Sequence, residues 1–268
     1  MKSVALELMI GWCMTRILIL DIETAPNIAY VWRFFKENVG AKQVLEHTFI
    51  MSFAAKWLGE DEVVYFDANE YGEKAIVWGL IELLDAADIV VAHNGNGFDL
   101  PTIQGRAMVH GLKPPSPYRV LDTRLVAKSE FNFPSNSLEY LAKVLGVEEK
   151  DGHKNFPGFL LWAECLKGNE EAWAELKTYN IQDVITLEQV YLKMRPWMKR
   201  HPNVAVGMEQ AHPVCPKCGS EHIQYRGYTT TNLYKYRKFQ CQGCGGWSRT
   251  RFNEYPKEKK HVLLANAG

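Results

Sequence analysis

An apolar run that ends in two acids restricts this chain more than any other feature. Ile17-Leu18-Ile19-Leu20 is followed directly by Asp21-Ile22-Glu23-Thr24. An unbroken run of Ile and Leu fits a strand covered on both faces, at the centre of a sheet rather than its edge. The two acids are two residues apart, so the strand period puts both carboxylates on one side of the sheet. A lone buried carboxylate is costly and takes up a proton instead. A divalent cation resolves the conflict.

Two other segments present acids in comparable settings. Asp99 follows His93-Asn94-Gly95-Asn96-Gly97-Phe98, where glycines let the chain turn sharply after the short strand expected at Asp88–His93. Asp183 sits in Tyr179-Asn180-Ile181-Gln182-Asp183, inside an amphipathic helical pattern that places Tyr179 one turn earlier on the same face. Acids drawn from distant parts of a chain to one strand end suggest a two-metal phosphodiester site.

The intervening pattern predicts an α/β fold. Strands are expected at Phe49–Leu58, Glu62–Asp67 and Tyr118–Leu121. Helices are expected at Lys74–Ala86, Leu100–His110, Ser137–Leu145 with Ser137 as N-cap, and Glu170–Met194, the last as one long helix or two in succession. Three leading strands can form a meander, and later strands reached through helices can add in parallel, giving a mixed sheet with helices on its faces. We expect an extension at 1–13, a main domain at 14–200, a linker at 201–211, a small module at 212–255 and a flexible basic tail at 256–268. Asp122 reads as a helix N-cap, His93 as a satisfied strand-end histidine and Lys154 as a solvated lysine.

The three acidic segments, with the helix Ser137-Leu138-Glu139-Tyr140-Leu141-Ala142, resemble the motifs of the DEDD superfamily of 3′–5′ exonucleases over roughly residues 14–195. Tyr179 stands four residues before Asp183, and Thr178 stands where the histidine subclass would carry its histidine, so the resemblance is to the Tyr subclass. It implies a five-stranded RNase H-like sheet and two Mg²⁺ or Mn²⁺ ions. Asp21 would bridge the ions, Glu23 and Asp183 would hold the one that binds the attacking water, and Asp99 would serve the other. Tyr179 would orient the water. Thr24, Asn94 and Phe98 would meet the 3′-terminal nucleotide of single-stranded or frayed DNA. An RNA-trimming exonuclease and a non-catalytic adaptor that docks to a polymerase or replisome are the alternatives.

Cys215-Pro216-Lys217-Cys218-Gly219 and Cys241-Gln242-Gly243-Cys244-Gly245 form two matching knuckles. Four thiolates favour one tetrahedral, structural Zn²⁺, and the strand-like stretch Tyr225–Phe239 between them resembles a zinc ribbon. From His212 onward there are ten Lys and Arg against three Glu, while the whole chain is formally neutral. An acidic body with a basic, aromatic-rich end suits nucleic acid as partner, with a separate polymerase as the other partner such a ribbon could serve. No run approaches the length of a membrane span and no export signal is evident, so the expected location is cytoplasmic.

Overall fold

The structure, a computed structural model, describes residues 15–147 and 155–267; the expected extension 1–13 and Lys154 lie outside them. The described residues fall into two compact units, one spanning Arg16–Tyr191 and the other comprising Thr15 and residues 192–267.

In the first unit, β1 (Ile17–Thr24) continues past Leu20, so that Asp21 and Glu23 are part of the strand itself. A two-residue strand β2 (Ile28–Ala29) pairs antiparallel with β3 (Val44–Glu46). The meander then resumes with β4 (Ile50–Trp57) and β5 (Val63–Asp67). After the short α1 (Ala68–Tyr71) and α2 (Glu73–Asp85) come β6 (Ile89–Ala92), α3 (Asp99–Val109), β7 (Arg119–Asp122) and α4 (Thr123–Glu130). Helices α5 (Leu138–Leu145), α6 (Leu160–Leu166) and α7 (Glu170–Met194) complete the run. The five long strands form one mixed sheet in the order β5-β4-β1-β6-β7. β1 is antiparallel to β4 and parallel to β6, which is itself parallel to β7.

Alternation along β1 separates the two faces of this sheet. Leu18, Leu20 and Ile22 join Phe53 and Ala55 of β4 in a core with Ile76, Leu80 and Leu84 of α2 and Leu100 and Ile103 of α3. Asp21 and Glu23 point the other way, toward α7. That helix is tied to the sheet by Asn180, which accepts from Ser52 and donates to Asp21, and by a partly buried ion pair of Glu188 with Lys56. Val184, Leu187, Val190 and Tyr191 are buried along the same helix. A second apolar cluster caps the end of β1, with Ala25 and Met51 against Leu161, Cys165, Ala172, Trp173 and Leu176.

The second unit carries an antiparallel sheet in the order β10-β9-β8, made of β8 (Ile223–Thr230), β9 (Lys235–Cys241) and β10 (Trp247–Arg249). Within the expected linker, Val204–Gly207 forms a 3-10 turn. In the expected tail, α8 (Lys257–Val262) is a short helix with no buried residue. No helix among the described residues is long and apolar enough to cross a membrane.

Candidate functional site

Three carboxylates meet on the α7 face of the sheet. Asp21 and Glu23 from β1 and Asp183 from α7 each bring an oxygen to within 4.8 Å of the others. The sheet leaves room for this. Asp21 pairs in register with Ala54, and Glu23 with Ser52, so the positions beside the acids on β4 are small. Asn180 fills the space above them and is fully buried. Its Oδ1 accepts from the Ser52 hydroxyl at 3.1 Å, which turns its Nδ2 toward Asp21 Oδ2 at 2.7 Å. On the other flank, the Trp162 indole N–H donates to Glu23 Oε2 at 2.9 Å. The ladder register steps between Glu23 and Thr24, so the strand bends just beyond the second acid.

Burial pushes the Asp21 carboxyl well above the usual carboxylate range, and the charges of Asp99, Glu23 and Asp183 push it further. Only the Asn180 amide works the other way. Burial raises Glu23 to about 8, with Asp183 and Asp99 adding to the rise and the Trp162 hydrogen bond opposing it. Acids so placed resist ionisation unless positive charge is supplied from outside. Clustered hard oxygens fit Mg²⁺ or Mn²⁺.

Asp99 is placed differently. It is the first residue of α3 and only 2% exposed, and it stands outside the tight group of three. Its Oδ1 accepts from the backbone N–H of Ile22 at 3.3 Å. That contact holds the carboxylate beside β1 between the two acids, and burial raises it to about 6. The loop leading to it is built around Asp122. One Asp122 oxygen accepts from Asn94 N and Leu125 N, the other from Asn96 N, each at 3.1 Å. Asp122 thus caps α4, as its position implied, and also shapes the turn. Asn94 sits at φ 70°, and its side-chain oxygen accepts from Arg124 at 2.8 Å. At Gly95 a Cβ would lie 2.5 Å from that of Ala92, so the close approach admits only glycine.

Tyr179 lies one turn before Asp183 and meets Trp162 edge to face at 6.2 Å. Burial, followed by the nearby charges of Asp183, Glu23 and Asp21, drives its phenol far above its ordinary value, so the group is a neutral hydrogen-bonding hydroxyl. Thr24 is partly buried at the end of β1, and Phe98 is 41% exposed at the start of α3. The His93 ring lies 2.9 Å from the Thr123 hydroxyl and 3.0 Å from the Asn136 carbonyl, a satisfied strand-end histidine.

Asn180 and Trp162 were not marked by the sequence as site residues. Asn180 lay inside a quoted motif, yet nothing in a linear pattern says that it reaches a strand 159 positions away. Trp162 sits in an apolar stretch that reads as core.

In the second unit the four cysteines converge. Cys215 Sγ lies 3.8 Å from Cys244 Sγ, and Cys218 Sγ lies 3.6 Å from Cys241 Sγ. These separations exceed a disulfide bond. They match the edge of about 3.8 Å that a tetrahedron with Zn–S bonds of about 2.3 Å requires. Backbone N–H groups of Cys244 and Gly246 point at Cys241 and Cys244 sulfur. Gly219 and Gly245 after each knuckle take φ of 75° and 79°, conformations that suit glycine. Phe239 is buried between the strands, whereas Tyr228, Tyr234 and Trp247 stay about half exposed. Cations lie over two of these rings, Lys235 3.9 Å from Tyr228 and Lys238 5.5 Å from Trp247, and Arg249 lies 3.9 Å from the partly buried Tyr236.

Residues 36–195 match the profile of the RNase H superfamily. The chain belongs to the RNase H superfamily. The matched span includes Asp99, Tyr179 and Asp183 and begins after Asp21 and Glu23, which β1 adds at the centre of the sheet. Among solved structures the chain is similar to the family B DNA polymerase from the hyperthermophilic archaeon Pyrobaculum calidifontis, with 14% identity, 73% of this chain covered and a TM-score of 0.49. This RNase H superfamily chain spans 27% of the length of that polymerase. No curated protein matches it.

Proposed function

We propose that this RNase H superfamily member is a metal-dependent 3′–5′ exonuclease of the Tyr subclass, acting on single-stranded or frayed DNA ends. The observation that carries this reading is the meeting of Asp21, Glu23 and Asp183 within 4.8 Å, with Tyr179 one helical turn from Asp183. A purely structural role does not call for three clustered carboxylates, with Asp21 and Glu23 held at the cost of raised pKa values. The same cost argues against an inert adaptor.

Asp21, Glu23 and Asp183 would hold Mg²⁺ or Mn²⁺, with Asp99 beside them, and the ions would supply Lewis-acid stabilisation of charge on the phosphoryl group. The residues of the chain do the positioning. Asn180 fixes the orientation of Asp21, and Trp162 fixes that of Glu23. The neutral Tyr179 hydroxyl orients the attacking water by hydrogen bonding and does not remove its proton. We assign Thr24, at the end of β1, and Asn94 and Phe98, in the turn before α3, to contact with a terminal nucleotide.

In the second unit, Cys215, Cys218, Cys241 and Cys244 would hold one structural Zn²⁺ as a ribbon. Its exposed aromatic rings and their cations suit phosphate contact and base stacking, and we assign the ribbon to nucleic acid in preference to a polymerase partner.

The test is incubation with Mg²⁺ and 5′-labelled single-stranded DNA and RNA of one sequence. A ladder shortening from the 3′ end of DNA is the expected product, and Asp21→Ala and Asp183→Ala abolish it with the fold intact. Full activity in either variant, or cuts internal to the strand, overturns the proposal.

A further inference from the structure

The loop between β2 and β3 breaks the usual relation between exposure and polarity. Within six residues it carries Tyr30, Trp32, Phe34 and Phe35, which are 70%, 92%, 94% and 83% exposed. Clustered apolar rings on a surface mark an interaction site.

Internal polar contacts, and not burial of the rings, give the loop its shape. The Glu37 carboxylate is folded inward, its side chain 14% exposed, and accepts from the backbone N–H groups of Trp32 and Arg33 at 3.4 and 3.2 Å. Gln43 donates to the Tyr30 carbonyl at 3.0 Å and accepts from Gly40 N at 2.8 Å. Glu37 also pairs with Arg33, whose Nε lies 4.0 Å from its Oε2, yet the Arg33 side chain stays 76% exposed, and Lys36 is exposed among the rings. The base of the loop is fastened to the end of β1. Thr48 Oγ donates to the Ala25 carbonyl at 2.6 Å, Thr48 N donates to Asn27 Oδ1 at 2.9 Å, and Ala25 N donates to the Phe49 carbonyl at 2.9 Å. Four peptide steps separate Thr24 from Ile28, so the loop starts no more than about 14 Å from the end of the acid-bearing strand.

We propose that this loop is a base-stacking platform for single-stranded nucleic acid, receiving the strand whose end reaches the three carboxylates. The inference rests on the nuclease reading of that site. Aromatic faces accept any base, and the interleaved cations meet the phosphates between them. A protein partner would satisfy the rings but would not require Arg33 and Lys36 among them.

The experiment compares a twelve-residue oligothymidylate with an abasic strand of equal length, by fluorescence anisotropy in Mg²⁺. The protein is the full chain carrying Asp183→Asn, so that the strand is not consumed. Stacking of two bases predicts that the abasic strand binds roughly 30-fold more weakly. Adding Trp32→Ala/Phe34→Ala/Phe35→Ala should weaken oligothymidylate binding by a similar factor and erase the difference between the strands. Trp32→Ala alone should give part of the effect; at 92% exposure it should leave the melting temperature unchanged. Equal binding of the two strands by the parent, no binding of either, or unaltered binding by the triple variant overturns the platform. Self-association that the triple variant abolishes, with nucleic-acid binding unchanged, assigns the rings to a protein contact instead. Cleavage by the unmutated chain is scored separately. Platform-dependent binding without any cleavage sinks the nuclease reading and leaves the platform, whereas cleavage with platform-independent binding does the reverse.

Discussion

Glu23→Gln should stabilise the fold in the absence of added divalent ions, by an amount that depends steeply on pH. The Glu23 carboxyl is raised to about 8 from an ordinary value of 4.5. A folded-state pKa above the unfolded one favours folding below the unfolded value, and that contribution disappears as pH rises through the folded value. At pH 8 the wild-type fold has therefore lost about 4 kcal/mol relative to strongly acidic solution, against about 1 kcal/mol at pH 5. The carboxamide does not ionise and can still accept from the Trp162 indole, so the variant escapes this loss. For a unit of this size, a 3 kcal/mol difference corresponds to a relative rise in melting temperature of roughly 6–12 °C between pH 5 and pH 8. The assay is thermal unfolding followed by circular dichroism at pH 5, 6, 7 and 8, after exhaustive dialysis against buffer without Mg²⁺ or Mn²⁺. Excess Mg²⁺ should raise the wild-type melting temperature at pH 8 and leave the variant nearly unmoved. A variant advantage that is the same at pH 5 and pH 8, or a variant less stable at pH 8, would refute the account of the acids as a mutually repelling, ion-seeking group.

Asn180→Ala should lower the proposed exonuclease activity roughly 10- to 100-fold, because Asp21 loses its orienting amide and the buried Ser52 hydroxyl loses its acceptor; single-turnover kinetics would measure it. Gly95→Ala should cost about 1–3 kcal/mol, since the new methyl must displace Ala92, and activity should fall with the shift of Asp99; denaturant titration reads the first effect and product ladders the second. Cys218→Ser should abolish the zinc binding proposed for the four cysteines, read by native mass spectrometry, and unfold the small sheet, while Arg16–Tyr191 keeps its own thermal transition. Removing residues 212–268 should flatten the dependence of nucleic-acid affinity on salt, measured between 50 and 200 mM salt.

The large elements could be read from the sequence because periodicity and caps agreed. The β1 run, the β4–β5 hairpin pattern and α7 each carried many apolar residues in one register, and Ser137 and Gly146 marked both ends of α5. Asp21, Glu23 and Asp183 could be picked out because three local patterns matched one set. Features that depend on distant contacts stayed out of reach. The β2–β3 pair is too short for alternation to register, and its exposed rings look in sequence like core material. The Asp122 side chain was expected to cap a helix, but its hold on the Asn94–Asn96 turn appears only once β6 and β7 lie side by side. Asp99 was expected to serve the second ion; that its carboxylate also rests on the Ile22 amide, with its charge acting on Asp21, shows only in the folded chain.

Ser52 and Ala54 carry no charge and stand on a strand that contributes no acid, yet they set the clearance above β1 that Asn180 occupies. Enlarging either one to valine or leucine would expel the amide and leave Asp21 to swing freely. At Ala54 such a change would look conservative by hydropathy, and at either position it would behave like damage to the proposed metal site. Natural variation in the vigour of chains built on this plan is therefore worth seeking at two unassuming places on the neighbouring strand as well as among the carboxylates.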